Sequence, residues 1–137
     1  MVKELVVGVD GSTTSWRALS MALGIASRDA ARVHVCLVLE PRSTPEIATF
    51  HTPFPIVADE YDGADLGNEV RKQMAQSGVE GEFSCRRGSV APELEALAAT
   101  YGADVIVVGR SRHPALHLGG VPRKLLAVGS RPVLVVP

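Results

Sequence analysis

Residues 103–137 read ADVIVVGRSRHPALHLGGVPRKLLAVGSRPVLVVP, two apolar runs joined by a basic segment and a short amphipathic stretch. The run VIVVG at 105–109 is apolar on both faces, which is typical of a strand buried inside a parallel sheet. GGVPRKLLAVGS predicts a short helix, and RPVLVVP predicts a further strand. A strand, a helix and a strand in this order indicate a parallel pair joined by a crossover connection.

The rest of the chain repeats this alternation. Apolar runs predict strands at 5–9, 32–39 and 79–86, and amphipathic periodicity predicts helices at 14–28, at 64–76 and from about 90 to the stop at Gly102. Ser12 or Thr14 can cap the first helix. The repeated order of strand and helix predicts an α/β fold, a parallel sheet with helices on both faces, in a single domain over 1–137.

Bulk composition narrows the class of protein. The chain has 137 residues, of which 46% are hydrophobic and 21% charged, and its net charge is −1. This balance disfavours general nucleic-acid binding. No apolar run is long enough for a membrane span and no signal peptide is recognisable, so the expected location is cytoplasmic. Cys36 and Cys85 lie in strand-like stretches and are expected to be buried, reduced thiols, and His34 is expected to be a structural residue.

Charge is distributed unevenly along the chain. Residues 1–104 carry nine Lys or Arg against 15 Asp or Glu, whereas residues 105–137 carry five Lys or Arg and no acid. A basic segment on an acidic body indicates an anion near the C-terminal third.

Polar residues follow two of the predicted strands. Asp10 comes directly after the first strand, and Gly109 begins the basic segment after the fourth. In open parallel sheets, ligands bind beyond the carboxyl ends of the strands. A carboxylate there can accept hydrogen bonds from a sugar hydroxyl or a base, and the amides opening the last helix, near Gly119 to Val121, favour an anion. The positive charges available to such an anion are Arg110, Arg112, Arg123 and Lys124.

Three stretches together resemble the universal stress protein family: VVGVDGS at 6–12, ADVIVVGRS at 103–111 and LGGVPRKLLAVGSRPVLVVP at 118–137. Their order and spacing span the whole chain. The resemblance implies a three-layer, doubly wound sandwich, a five-stranded parallel sheet of order 3-2-1-4-5 with four helices. It also implies a homodimer paired through the last strand, and the uncharged run 133–136 is the kind of sheet edge that association would cover.

The resemblance also implies an ATP or AMP site between the ends of strands 1 and 4. Asp10 matches the aspartate that contacts adenine or ribose, and Val38 matches a backbone contact to adenine. The phosphate-loop positions fall on Gly109, Arg112, Gly119, Gly120 and Val121. Arg112 stands where the family has glycine, and Gly120 and Pro122 replace two hydroxyl residues. Six residues separate Arg112 from Gly119, three fewer than in the family pattern.

These departures leave several functions open. In the first hypothesis the chain is a stress-response regulator that binds an adenine nucleotide, with AMP, a cyclic nucleotide or free phosphate as alternatives to ATP. In the second, the pocket is vestigial and the dimer surface and the segment 41–62 carry an interaction function. A slow nucleotide hydrolase is the third, and no catalytic residue or metal ligand is assigned, because the C-terminal third contains no acid that could serve as a base.

Overall fold

The computed structural model describes residues 1–40, 63–110 and 120–137. Within them the chain forms five strands and four helices in strict alternation. The strands are β1 (Glu4–Gly8), β2 (Arg32–Leu39), β3 (Gly81–Arg87), β4 (Val105–Gly109) and β5 (Val133–Val136). The helices are α1 (Thr13–Asp29), α2 (Ala64–Ser77), α3 (Val90–Tyr101) and α4 (Val121–Val128).

All strands are parallel and lie in the order β3-β2-β1-β4-β5. The predicted fold class and strand order are therefore confirmed. β1 pairs with β2 on one side and with β4 on the other. The direction in which successive strands are added to the sheet reverses at this point. The carboxyl ends of β1 and β4 thus meet at the topological switch point of the sheet, where such folds place their ligands.

Alternating side chains of the strands build two separate cores. Leu5, Val7 and Val35 face α1 and α2, whereas Val6 and Ile106 face α3 and α4. The central strands β1 and β4 are apolar on both faces because both faces are covered, as their continuous apolar runs predict. This double packing fixes which helix starts overhang the carboxyl end of the sheet.

Local signals set the helix ends. Ser12 is the N-cap of α1, and its Oγ accepts the Ser15 amide at 3.3 Å, which resolves the choice between Ser12 and Thr14. Gly102 ends α3 in the left-handed region at φ 62°, a conformation that favours glycine. The third strand begins at Gly81, two residues later than the apolar pattern predicts.

The prediction of two buried thiols is wrong for one of them. Cys36 is buried, but Cys85 is exposed. The physical reason is position in the sheet: β2 is an interior strand, whereas β3 is at the edge of the sheet, where every residue is exposed or only partly buried. In the part of the chain that is described, none of the helices has the length and apolar character required to cross a bilayer.

Candidate functional site

A pocket of about 230 Å³ opens at the carboxyl end of the sheet, above the junction of β1 and β4. The starts of α1, α3 and α4 converge on it. It is lined by Gly8, Val9, Asp10, Ser12, Thr14, Ser15, Cys36, Val38, Val90, Leu94, Val108, Gly109, Arg110, Val121 and Pro122. The pocket therefore lies where the sequence predicts the ligand crevice.

The floor of the pocket is apolar. Cys36 and Val38 rise from the same face of β2, and Leu94 of α3 and Val108 of β4 close the opposite side. Burial raises the pKa of the Cys36 thiol, so this floor is uncharged at neutral pH. A flat apolar ring fits such a surface better than a charged group does.

The rim of the pocket is polar and begins with the turn after β1. The Asp10 carboxylate lines the pocket, and its Oδ1 accepts the Ser12 amide at 2.9 Å. Its backbone amide donates to Ser15 Oγ at 3.3 Å, and Ser15 Oγ donates to the Ser12 carbonyl at 2.9 Å. This network holds a carboxylate at the mouth of the pocket, where a hydroxyl or amino group can donate to it.

Helix α1 packs directly on the end of β4. Thr14 Oγ1 donates to the Arg110 carbonyl at 2.8 Å, and a Cβ on Gly109 would lie 2.5 Å from the Thr14 carbonyl carbon. The close approach of the two backbones therefore requires glycine at position 109, independently of any contact with a ligand. The same contact fixes the backbone from which the Arg110 side chain leaves the sheet.

The start of α4 faces the pocket from the other side. Gly120 is the N-cap residue, and Val121 and Pro122 of the first turn line the pocket. Proline has no amide hydrogen, so this helix start offers one donor fewer than usual. Arg123 and Lys124 are exposed on the same turn.

Most predicted site residues are brought together. Asp10, Val38, Gly109 and Val121 all line the pocket, and Gly120 adjoins it as the N-cap of α4. Arg112 and Gly119 lie outside the described residues, as does the segment 41–62.

The sequence reasoning missed the rest of the floor, notably Cys36 and Leu94. Cys36 could have been identified from the alternation of side chains along a strand, since it lies two residues before Val38 and on the same face of β2. Leu94 carries no such signal, because nothing in its own helix shows which strand end it overhangs.

The basic C-terminal third does not act as one cluster. Arg110 lines the pocket, but Arg131 lies at the opposite, amino end of the sheet, where its Nη1 donates to the Ala103 carbonyl at 3.0 Å. Among the described residues, no group of three or more His, Cys, Asp or Glu side chains is placed to hold a metal ion.

Comparison with known proteins gives the chain its family. The family model described as the universal stress protein family matches residues 1–137. A universal stress protein of Bacillus subtilis is 27% identical over 99% of each chain. One of Mycobacterium tuberculosis is 32% identical over 96% of this chain, which spans 43% of that relative's length. The solved structure of a universal stress protein in complex with cAMP is 25% identical, with a TM-score of 0.77 over 99% of this chain and 97% of that one. The chain, with the switch-point pocket its fold creates, belongs to the universal stress protein family.

Proposed function

We propose that this stress-response protein binds an adenine nucleotide in the pocket between the ends of β1 and β4. The observation that carries the proposal is the pairing of an uncharged, apolar floor with a carboxylate rim at the switch point. The adenine ring lies against Val38 and Leu94, and Asp10 accepts a hydrogen bond from the ribose or the base. The related structure solved with cAMP supports a ligand of this class.

The phosphate lies between the start of α4 and the end of β4. The donors we assign to it are the backbone amides of Gly109, at the end of β4, and of Gly120 and Val121, at the start of α4, and Arg110 supplies the formal charge. Arg112 and Gly119, which the family resemblance places at the same phosphate, belong to this proposal as further contacts.

A compact nucleotide, AMP or cyclic AMP, suits this site better than ATP does. The cavity of about 230 Å³ is below the roughly 300–1,000 Å³ of typical ligand sites. Gly120 and Pro122 supply no side-chain hydroxyl, and Pro122 supplies no amide. Each missing phosphate contact weakens binding by about 1 kcal/mol, so a longer phosphate chain gains less at this site than at one that keeps these donors.

The test begins with the purified protein. Denaturing it and separating the supernatant by chromatography reveals any nucleotide carried through purification, and calorimetric titration with AMP, cyclic AMP and ATP then ranks the three. We expect AMP or cyclic AMP to bind more tightly than ATP. Tighter binding of ATP would contradict the compact-ligand proposal, and no heat with any of the three at millimolar concentration would contradict nucleotide binding itself.

The position of the adenosine is tested by one matched pair of variants. Asp10→Asn removes a charged acceptor at the pocket, and Asp104→Asn removes one at the opposite end of the sheet, where its carboxylate binds the amides of Lys3 and Glu4. Asparagine keeps an acceptor oxygen but no charge, and a charge-assisted hydrogen bond is roughly twice as strong as a neutral one, so Asp10→Asn weakens binding by about 1 kcal/mol, roughly fivefold. Asp104→Asn leaves the affinity unchanged. Equal affinities for the two variants would refute the placement.

A second candidate function, assembly through β5, rests on a different surface. Leu126 and Val128 of α4 are 60% and 58% exposed, and Val135 of the edge strand is 36% exposed. We infer that a second copy of this single-domain, cytoplasmic protein covers them by pairing β5 with β5. Sedimentation of the wild type is expected to show a dimer, and Val135→Lys a monomer. A monomeric wild type at all concentrations would exclude this assembly.

A further inference from the structure

His34 is a buried ionisable residue on β2, two residues before Cys36 and nearer the amino end of the sheet than the pocket is. It is 3% exposed and lies on β2 between Val6 of β1 and Glu82 of β3 in the register of the sheet. Tyr101, the last residue of α3, stacks on the imidazole with ring centroids 3.6 Å apart and an angle of 17° between the planes. The ring is therefore held in place from both the sheet and the helix layer.

Both nitrogens of this ring face a carboxylate. His34 Nε2 lies 2.7 Å from Glu4 Oε2, and Nδ1 lies 3.2 Å from Glu82 Oε1. A neutral imidazole has one N–H donor and one acceptor, whereas an ionised carboxylate can only accept. A neutral ring would satisfy one of the two contacts and leave the other with two acceptors facing each other.

The proton that resolves this conflict does not lie on Glu82. Hydrogen bonds from Tyr101 and then from His34 hold the pKa of Glu82 below its ordinary value, and the same bond to Glu82 raises the pKa of Tyr101. Glu82 is thus ionised and Tyr101 remains a donor at neutral pH. Two arrangements then satisfy both contacts, a proton on Glu4 or a proton on each imidazole nitrogen, and the second keeps both carboxylates ionised.

The other charged groups around the ring have partners of their own. Arg32 of β2 pairs with Glu80 at 3.9 Å, and Arg71 of α2 lies 5.6 Å from the centre of the Phe83 ring. Asp104 binds the amides of Lys3 and Glu4, and Arg86 pairs with Glu93 at 2.8 Å. The immediate contacts of the His34 nitrogens are the two carboxylates, one from each neighbouring strand.

We propose that His34, Glu4 and Glu82 form a proton-dependent clamp that ties β1, β2 and β3 together near their amino ends. The doubly protonated ring bridges both carboxylates, and loss of one proton leaves a single bridge. The clamp is distinct from the nucleotide site, because none of its three residues lines the pocket.

The sign of the pH effect follows from proton counting. The closed clamp holds one proton more than the open one, and an unfolded chain has no pair of facing carboxylates to retain that proton. The state that binds more protons gains stability as pH falls. The closed clamp therefore contributes more to the stability of the fold at low pH than at high pH.

The direct test is the protonation of His34 in the folded wild type, read from ring nitrogen chemical shifts in ¹⁵N NMR at pH 7.5. The chain has four histidines. The resonances lost in His34→Gln identify the ring, and His51→Gln, which removes a different set, is the control. We expect both nitrogens of His34 to show the protonated pattern. A neutral tautomer at this pH would overturn the proposal.

Two variants test the carboxylates. Glu82→Gln replaces a charged carboxylate with a neutral amide, so His34 should return to a neutral tautomer at pH 7.5. Glu80→Gln, a neighbouring carboxylate bound to Arg32, should leave the ring protonated. The urea midpoint of the wild type should also exceed that of His34→Gln by a larger margin at pH 5.5 than at pH 8.5. An unchanged ring in Glu82→Gln, or a midpoint difference independent of pH, would refute the clamp.

Discussion

Gly109→Ala tests how closely α1 must approach β4 to build the pocket. The added Cβ would lie 2.5 Å from the Thr14 carbonyl carbon, 2.6 Å from its oxygen and 2.7 Å from the Ser15 nitrogen. All three atoms belong to the backbone of the first turn of α1, so no side-chain rotation relieves the overlap. Ordinary contact between such atoms is about 3.5 Å, and the helix must therefore move by roughly 1 Å.

That displacement has a calculable cost. Overpacking of a well-packed site costs about 1–3 kcal/mol, and here the same movement strains the Thr14 hydrogen bond to the Arg110 carbonyl, which contributes about 1 kcal/mol more. We expect Gly109→Ala to lose about 3 kcal/mol of the free energy of unfolding. For a chain of this size, the melting temperature would fall by roughly 10 °C.

Urea unfolding followed by tryptophan fluorescence measures this loss, because the single tryptophan, Trp16, lies in α1 and packs against the core. The matched control is Gly24→Ala in the same helix. There the nearest atom to the new Cβ is Arg28 Nη1 at 4.0 Å, so relief of glycine's backbone entropy should stabilise the fold by about 0.5–1 kcal/mol. Gly109→Ala within 0.5 kcal/mol of the wild type would refute the packing argument.

Three further substitutions have defined outcomes. Ser12→Ala removes the N-cap of α1 and should cost about 1 kcal/mol in urea unfolding; no change would show that the cap is dispensable. The amides of Lys3 and then Glu4 lower the pKa of Asp104 from its ordinary 3.8, so the carboxylate stabilises the fold above about pH 4 and this stabilisation is lost below it. The difference in unfolding free energy between the wild type and Asp104→Asn should therefore close in acid. A difference that stays constant with pH would contradict this. Leu94→Ala deletes a fully buried side chain from the pocket floor and should cost about 2–5 kcal/mol by thermal melting; a loss under 1 kcal/mol would mean that the floor collapses to fill the space.

The fold was predictable because each central strand carries its own signal. Runs such as 5–7 and 106–108 are apolar on both faces, which a sheet covered on one side does not require. The order of strands, by contrast, came from the family resemblance, since alternation alone is compatible with several doubly wound orders. Element ends shifted by a residue or two because capping, seen at Ser12, rather than hydrophobicity decides them.

The site was predictable where the chain passes a strand end. Gly109 ends β4 and Asp10 lies just beyond β1, so the two residues come close together once these strands are known to be neighbours. The floor was harder, because Leu94 reaches it from a helix whose position depends on packing between layers. His34 shows the same limit: its two carboxylates come from strands that neighbour it in space and lie 30 and 48 residues away in sequence.

The two ends of this sheet are built differently, and the difference explains where binding is possible. At the amino end, side chains tie the layers together: Asp104 holds the start of β1, His34 joins two carboxylates and Arg131 holds the carbonyl before β4. At the carboxyl end, helix starts surround a cavity with an apolar floor. In the proposed function a ligand orders this rim, while the interactions at the amino end hold the strands in register.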